Sequence, residues 1–355
     1  MNRKAHLDLL RILALFLVVF NHTALITPAR GCSGSAVYWL ILLADECCKL
    51  AVPLFFMVSG AVLLHREEPL APLFRKRILR FILLILLFVA GQQLFATIIT
   101  DMGWSWKAYI SGCLIGNTFN HITAAHAVWF LYAYLGMLLL LPMLRCLAQH
   151  MRNSSFYLLM ALQAACLIVL PGAALAVTGT PGTMLAKFLP FADATYPPFC
   201  WSHCLCYALL GYFLEHRTPQ KLPPKKLAAL GIAAALSLAA GVFAVHLPLG
   251  NDIDQNPFIK SFLMLPAGFV FLALRNQAGT GKQRPVIQKA VFLCASGVFA
   301  GIVTENIWRH FLLPVLYAHM GHSYPATCLG ALLVAAAALV SGCIIKRIPL
   351  LGKII

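Results

Sequence analysis

The chain has 355 residues, of which 61% are hydrophobic and 11% charged, and its mean hydropathy is +0.84. Water-soluble domains carry about 25% charged residues, so this composition excludes a soluble globular protein. A formal net charge of +16 would suit a polyanion, but the 27 Lys and Arg are scattered among short turns between apolar blocks, which argues for membrane topology and against nucleic acid.

The apolar blocks approach the ~20 residues needed to cross the hydrocarbon core. In chain order they predict ten spanning helices near residues 7–27, 38–64, 77–100, 126–147, 155–178, 196–215, 227–248, 257–275, 288–308 and 324–345. The first block contains Asp8 and Arg11 and lacks a following small-residue cleavage site, so it reads as a retained helix rather than a signal peptide. The segment from Trp104 to Ile115 is too short to cross, and its two Trp and one Tyr suit the membrane interface. Most of the 12 cysteines lie inside apolar blocks and read as small core residues. The cluster of Cys200, His203, Cys204 and Cys206 lacks a paired Cys-x-x-Cys, so no metal site is assigned.

Lys and Arg fix the orientation. Arg3, Lys4, Arg66, Arg75, Lys76, Arg77, Arg80, Arg145, Arg152, Arg217, Lys221, Lys225, Lys226, Arg275, Lys282, Arg284, Lys289, Lys346, Arg347 and Lys353 all fall on one side, which is 20 of the 27. That side is read as cytoplasmic and holds both termini. The expected architecture is an all-α, polytopic membrane bundle of about ten helices. It forms a single membrane-embedded domain over residues 1–355, with no repeat and no segment long enough for an extracytoplasmic domain.

A charge within a span costs about 3 kcal/mol on insertion scales, so each is a functional candidate. The first helix holds Asp8, Arg11 and His22. Arg11 and His22, eleven residues apart, fall within about 20° of one face and ~16 Å apart along the axis. Asp8, one turn before Arg11, is placed to pair with it. A plainer reading makes Asp8 and Arg11 interface markers and His22 a polar helix contact. The second span ends in Val52-Pro-Leu-Phe-Phe-Met-Val-Ser-Gly60, where Pro bends a helix and Ser59 and Gly60 allow close packing. Arg77 and Arg80 then share a face at i, i+3, which suits a phosphate group or, equally, anionic lipid at the membrane surface. The fourth span opens with Trp129, Phe130, Leu131, Tyr132 and closes at Pro142; an aromatic belt accounts for it without chemistry. Glu305 and Arg309, one turn apart, suit an ion pair at the outer end of the ninth span.

In that order, the segments Leu7-Asp-Leu-Leu-Arg11 with His22, Pro53 to Gly60, Arg77 with Arg80, and Trp129 to Tyr132 with Pro142 resemble acyltransferase family 3, the bacterial membrane O-acyltransferases. Late in the chain Ser296 to Ile302 stands where members often carry Gly-Ile-Tyr-Leu-Ile-His, with Ile302 in place of the histidine. The resemblance implies a multi-pass protein of the cell membrane that moves an acyl group, usually acetyl, from cytoplasmic acyl-CoA to a hydroxyl of a cell-surface glycan or lipid-linked sugar. Acyl-CoA is then a co-substrate, and no metal or tightly bound cofactor is required. It further implies His22 as general base or acyl carrier, Asp8 orienting Arg11, and Arg11, Arg77 and Arg80 holding the CoA phosphates. Ser59, Trp129, Tyr132 and Glu305 complete the expected substrate-binding set. Two other classes stand beside this one. A transport or sensing module would line a substrate path with the same charges, and a flippase for lipid-linked sugars would need more intramembrane charge than the chain carries.

Overall fold

The computed structural model describes residues 4–23, 35–100, 103–115, 128–165, 201–249, 262–278, 285–349 and 352. Among them every regular element is a helix. Helix α1 is Ala5–His22, α2 is Ala36–Cys48 and α3 is Ala51–Leu63. The short α4 (Leu70–Leu73) runs through a π-helical turn at Phe74–Ile78 into α5 (Leu79–Thr100). Then come α6 (Trp106–Ile115), α7 (Val128–Leu139), α8 (Leu141–His150), α9 (Asn153–Ala164) and α10 (Trp201–His216). The chain continues with α11 (Pro224–Leu249), α12 (Met264–Ala278), α13 (Pro285–Met320) and α14 (Tyr324–Ile345).

Five described helical stretches are long and apolar enough to cross a membrane: Ala5–His22, Leu70–Ile99, Pro224–Val242, Pro285–Met320 and Tyr324–Ile345. A sixth arises if Phe130–Leu139 and Leu141–His150, bent by 65° to each other, count as one span. Proline explains two departures from the sequence expectation. Residues 38–64 were expected as one helix but break at Lys49 and Leu50 into α2 and α3. Pro53 has no N–H for the Lys49 carbonyl four residues back, so the ladder loses that rung at the break. Pro142 likewise sits at the start of α8 and denies a donor to Leu138, where the expected 126–147 span bends. In contrast, the helix expected at 288–308 runs on to Met320 through Pro314. The expected spans 155–178, 196–215 and 257–275 each reach beyond the described residues. Helix α6 is the short segment expected at the interface, and its Trp106 is 68% exposed.

Helix α1 is the hub: it packs against α2, α3, α12, α13 and α14. Two tight helix pairs surround it. Helices α3 and α10 approach so closely that a Cβ on Gly60 would overlap the Ala208 carbonyl, and one on Gly211 the Met57 carbonyl. Small residues at such crossings let backbones meet in an apolar solvent where side-chain burial alone gives little drive. In the α13–α14 hairpin, Gly297 and Gly342 meet in the same way. A first apolar cluster includes Leu10, Leu54, Phe56, Met57, Leu131, Met137 and Phe271. A second, built on Leu15, Val19, Val298, Ile302 and Val334, fills the space between α1, α13 and α14. Outward-facing Ile98, Leu236, Val286 and Val315 remain exposed, as lipid-facing positions would.

Candidate functional site

A cavity of about 390 Å³ opens between α1, α3, α5, α7 and α13. One end is basic. Arg11 comes from α1, Arg66 from the turn after α3, Lys76 and Arg77 from the π-helical turn, and Arg80 from the first turn of α5. The π-helical turn widens the helix locally, a device often found at functional sites. Two carboxylates hold this basic mouth in shape. Asp8 Oδ1 accepts from Arg11 Nη1 at 2.6 Å, and Glu68 Oε2 accepts from Arg77 Nε at 2.8 Å and from Arg145 Nη2 at 3.3 Å. Partial burial pushes the Glu68 carboxyl up, but the hydrogen bonds and charges of Arg77 and Arg145 outweigh it and hold the group below the usual carboxylate value. Burial, with Arg77 nearby, lowers Arg66. Its buried Nε has no hydrogen-bond partner among the described residues. Five cations against these two carboxylates leave the mouth attractive to a polyanion.

The other end is aromatic. Phe55, Phe81, Phe130, Tyr134 and Phe299 line it, with Phe55 and Phe130 ring centroids 5.6 Å apart and Phe81 and Tyr134 at 5.0 Å. Ser59 also faces the cavity, its Oγ donating to the Phe55 carbonyl at 2.8 Å and lying 3.4 Å from the Tyr134 hydroxyl.

Beyond that end lies a polar cluster. His22 Nδ1 meets Glu305 Oε1 at 2.5 Å, with side chains 16% and 3% exposed. Glu305 Oε2 is buried and has no hydrogen-bond partner among the described residues. The two helices that carry the pair also line the cavity: Arg11 and His22 share a face of α1, and Val298 and Glu305, seven residues apart, share a face of α13 ~10 Å along its axis. Arg309 does not take the Glu305 pairing that its i, i+4 spacing suggests. Its Nη1 donates to the His22 carbonyl at 2.5 Å, and its Nη2 to Asn306 Oδ1 at 2.6 Å. Asn306 Nδ2 in turn donates to Gln92 Oε1 at 3.3 Å. The carbonyls of a helix's last turn lack intrahelical donors, so Arg309 satisfies one and ties the end of α1 to α13.

The structure therefore gathers Asp8, Arg11, Arg77, Arg80 and Ser59 at one cavity, and joins His22 to Glu305 in a second cluster. Tyr132 faces elsewhere, its hydroxyl donating to the Cys113 carbonyl of α6, while Tyr134 takes the cavity-facing position. The side chain of Trp129 lies outside the described residues. The Lys and Arg pattern alone leaves Arg66 and Lys76 among anchoring charges, gives Arg309 to Glu305, and does not single out Asn306 or Gln92. The cost of intramembrane polar groups is the available signal for the last two.

A family model described as an acyltransferase domain matches residues 4–283, which covers helices α1 to α12 and every cavity-lining residue except those of α13. No curated protein and no solved structure matches the chain. The chain belongs to acyltransferase family 3, and is a membrane acyltransferase.

Proposed function

We propose that this acyltransferase moves an acetyl group from cytoplasmic acetyl-CoA to a hydroxyl of a cell-surface glycan or lipid-linked sugar. The observation that carries the reading is the His22–Glu305 pair at 2.5 Å, its carboxylate buried and its imidazole partly so, set on two of the helices that line a five-cation cavity. Glu305 accepts the Nδ1 proton and so selects the tautomer whose Nε2 is free to act as base, the role a carboxylate plays beside histidine in hydrolase triads. Nε2 removes the proton of the acceptor hydroxyl as its oxygen attacks the thioester carbonyl. The C–O bond forms, the C–S bond breaks, and the proton taken by His22 passes to the departing CoA sulfur. Arg11, Arg66, Lys76, Arg77 and Arg80 hold the CoA phosphates, with Asp8 and Glu68 as positioning residues for Arg11 and Arg77.

The basic mouth lies on the side that the Lys and Arg distribution assigns to the cytoplasm, where acyl-CoA is found. Membership of an acyltransferase family favours this over the transport reading, since the same charges would serve either. The test is binding of radiolabelled acetyl-CoA to purified protein, followed by transfer of label to envelope glycan in membranes. Binding is expected to weaken at least tenfold in Arg11→Ala and Arg77→Ala, and His22→Ala is expected to bind donor without transferring it. Undiminished transfer by His22→Ala would overturn the mechanism, and absence of donor binding in the wild type would overturn the donor.

A further inference from the structure

We infer that Phe55 and Phe130 set the size of the acyl group that passes from the basic cavity to His22. The inference rests on the acyl-CoA reading above and adds a selectivity device to it.

The cavity does not reach the ion pair. Its lining includes Arg11, Phe55, Phe130, Val298 and Phe299 but not His22 or Glu305. What lies between is apolar and closely packed. Leu15, Val19, Val298 and Ile302 form one buried cluster, and Phe55 packs directly against it. Val19 and Ile302 stand three residues before His22 and Glu305, so this layer sits ~4.5 Å below the pair along the helix axes. Phe55 therefore lines the cavity and also packs against the apolar cluster that continues up to the layer under the pair. Phe130 braces it: the ring is 5.6 Å from Phe55, 5.7 Å from Phe56 and 6.2 Å from Tyr134.

A thioester held by its phosphates at the basic mouth must bring its carbonyl past this pair to meet a hydroxyl activated by His22. Turning the Phe55 side chain aside opens room for a small acyl group. A longer chain must displace Phe130 as well, and Phe130 is buried against Phe56 and Tyr134 in a cluster with little slack. The two rings thus act as a sieve for the acyl tail and leave the CoA moiety unread.

The experiment is competition against radiolabelled acetyl-CoA on the full-length protein in detergent, with CoA, acetyl-CoA, butyryl-CoA and hexanoyl-CoA as competitors. Each acyl-CoA affinity is divided by that of CoA in the same variant, so a general change in donor binding cancels. The wild type is expected to favour acetyl-CoA. Phe55→Ala and Phe130→Ala are each expected to raise the butyryl-to-acetyl ratio about tenfold, the worth of burying two further methylenes. Where an alanine variant loses CoA binding, Phe55→Leu and Phe130→Leu carry the test, with a smaller shift in the same direction. Ratios unchanged in variants that still bind CoA would overturn the sieve and leave the donor reading standing. A wild type that binds no CoA compound would overturn both.

Discussion

The Glu305→Gln substitution tests the proposed catalytic pair most directly, because it keeps the side chain's shape and removes its charge. The carboxylate is 3% exposed and its Oε1 lies 2.5 Å from His22 Nδ1. Removing one partner of a buried, hydrogen-bonded pair costs about 3–5 kcal/mol. Once His22 takes the acceptor proton it becomes a cation beside Glu305, so the interaction is stronger in the transition state than in the resting enzyme, which is the condition for a rate effect. At 1.36 kcal/mol per tenfold, the loss in kcat is about 10²–10⁴-fold, within the range expected for a general base. Glutamine also presents an amide N–H₂ that can turn to His22 and hold the wrong tautomer. The assay is label transfer from acetyl-CoA in membranes at saturating donor, beside donor binding by purified protein. Donor affinity is expected to stay within twofold, because Glu305 lies outside the cavity lining. A Glu305→Gln enzyme that turns over at the wild-type rate would refute the pairing as a catalytic device.

Three further outcomes follow from the geometry. Arg309→Ala frees the His22 carbonyl and Asn306 together and is expected to lower kcat about tenfold at unchanged donor affinity. Arg309→Lys, which can reach one acceptor but not both, is expected to recover part of that loss in the same transfer assay. Gly60→Leu forces a side chain into the Ala208 backbone and is expected to separate α3 from α10. Thermal melting in detergent is expected to show loss of the cooperative transition, and an unchanged melting temperature would refute the close approach. Glu68 is held below its ordinary value of 4.5, so its stabilising contribution is complete above that pH and is lost as pH falls through the lower folded value. The wild-type melting temperature is therefore expected to drop more than that of Glu68→Gln between about pH 5 and about pH 3.

Local rules made part of this protein legible and long-range pairing hid the rest. Hydropathy marks 324–345 as a span, and α14 occupies the same residues because nothing in that block interrupts the helix. The i, i+3 spacing of Asp8 and Arg11 foretells their ion pair, since both groups sit on one helix. The eleven-residue spacing likewise puts Arg11 and His22 on one face. It cannot say what that face meets. The partner of His22 is 283 residues away, and only the packing of α1 on α13 selects Glu305 over other acids. The same limit misassigned Arg309, because an i, i+4 rule describes an isolated helix surface and not one pressed against the end of another helix. Tyr132 and Tyr134 show it at smaller scale: two residues apart, they point about 200° apart, so an aromatic run alone cannot name the one that faces the cavity. Pro53 and Pro142 were visible in the sequence, but whether a membrane helix absorbs a proline or breaks at it depends on the neighbours that resatisfy the freed carbonyl. Pro314 is absorbed and Pro53 is not.

The separation of the basic mouth from His22 has a physical rationale under the proposed chemistry. Five cations need water or phosphate oxygens around them, so their end of the cavity is hydrated whenever donor is absent. A base that activates a sugar hydroxyl also activates water, and a wet path from the mouth to His22 would spend acetyl-CoA by hydrolysis. Leu15, Val19 and Val334, fully buried in the second apolar cluster, themselves offer a water molecule no polar side chain. The layer also protects the ion pair, because the His22–Glu305 attraction is worth more where the local dielectric is low. The apolar layer that blocks an empty cavity thus serves the same end as the buried carboxylate: each keeps His22 committed to the acceptor hydroxyl until an acyl group of the right size displaces Phe55.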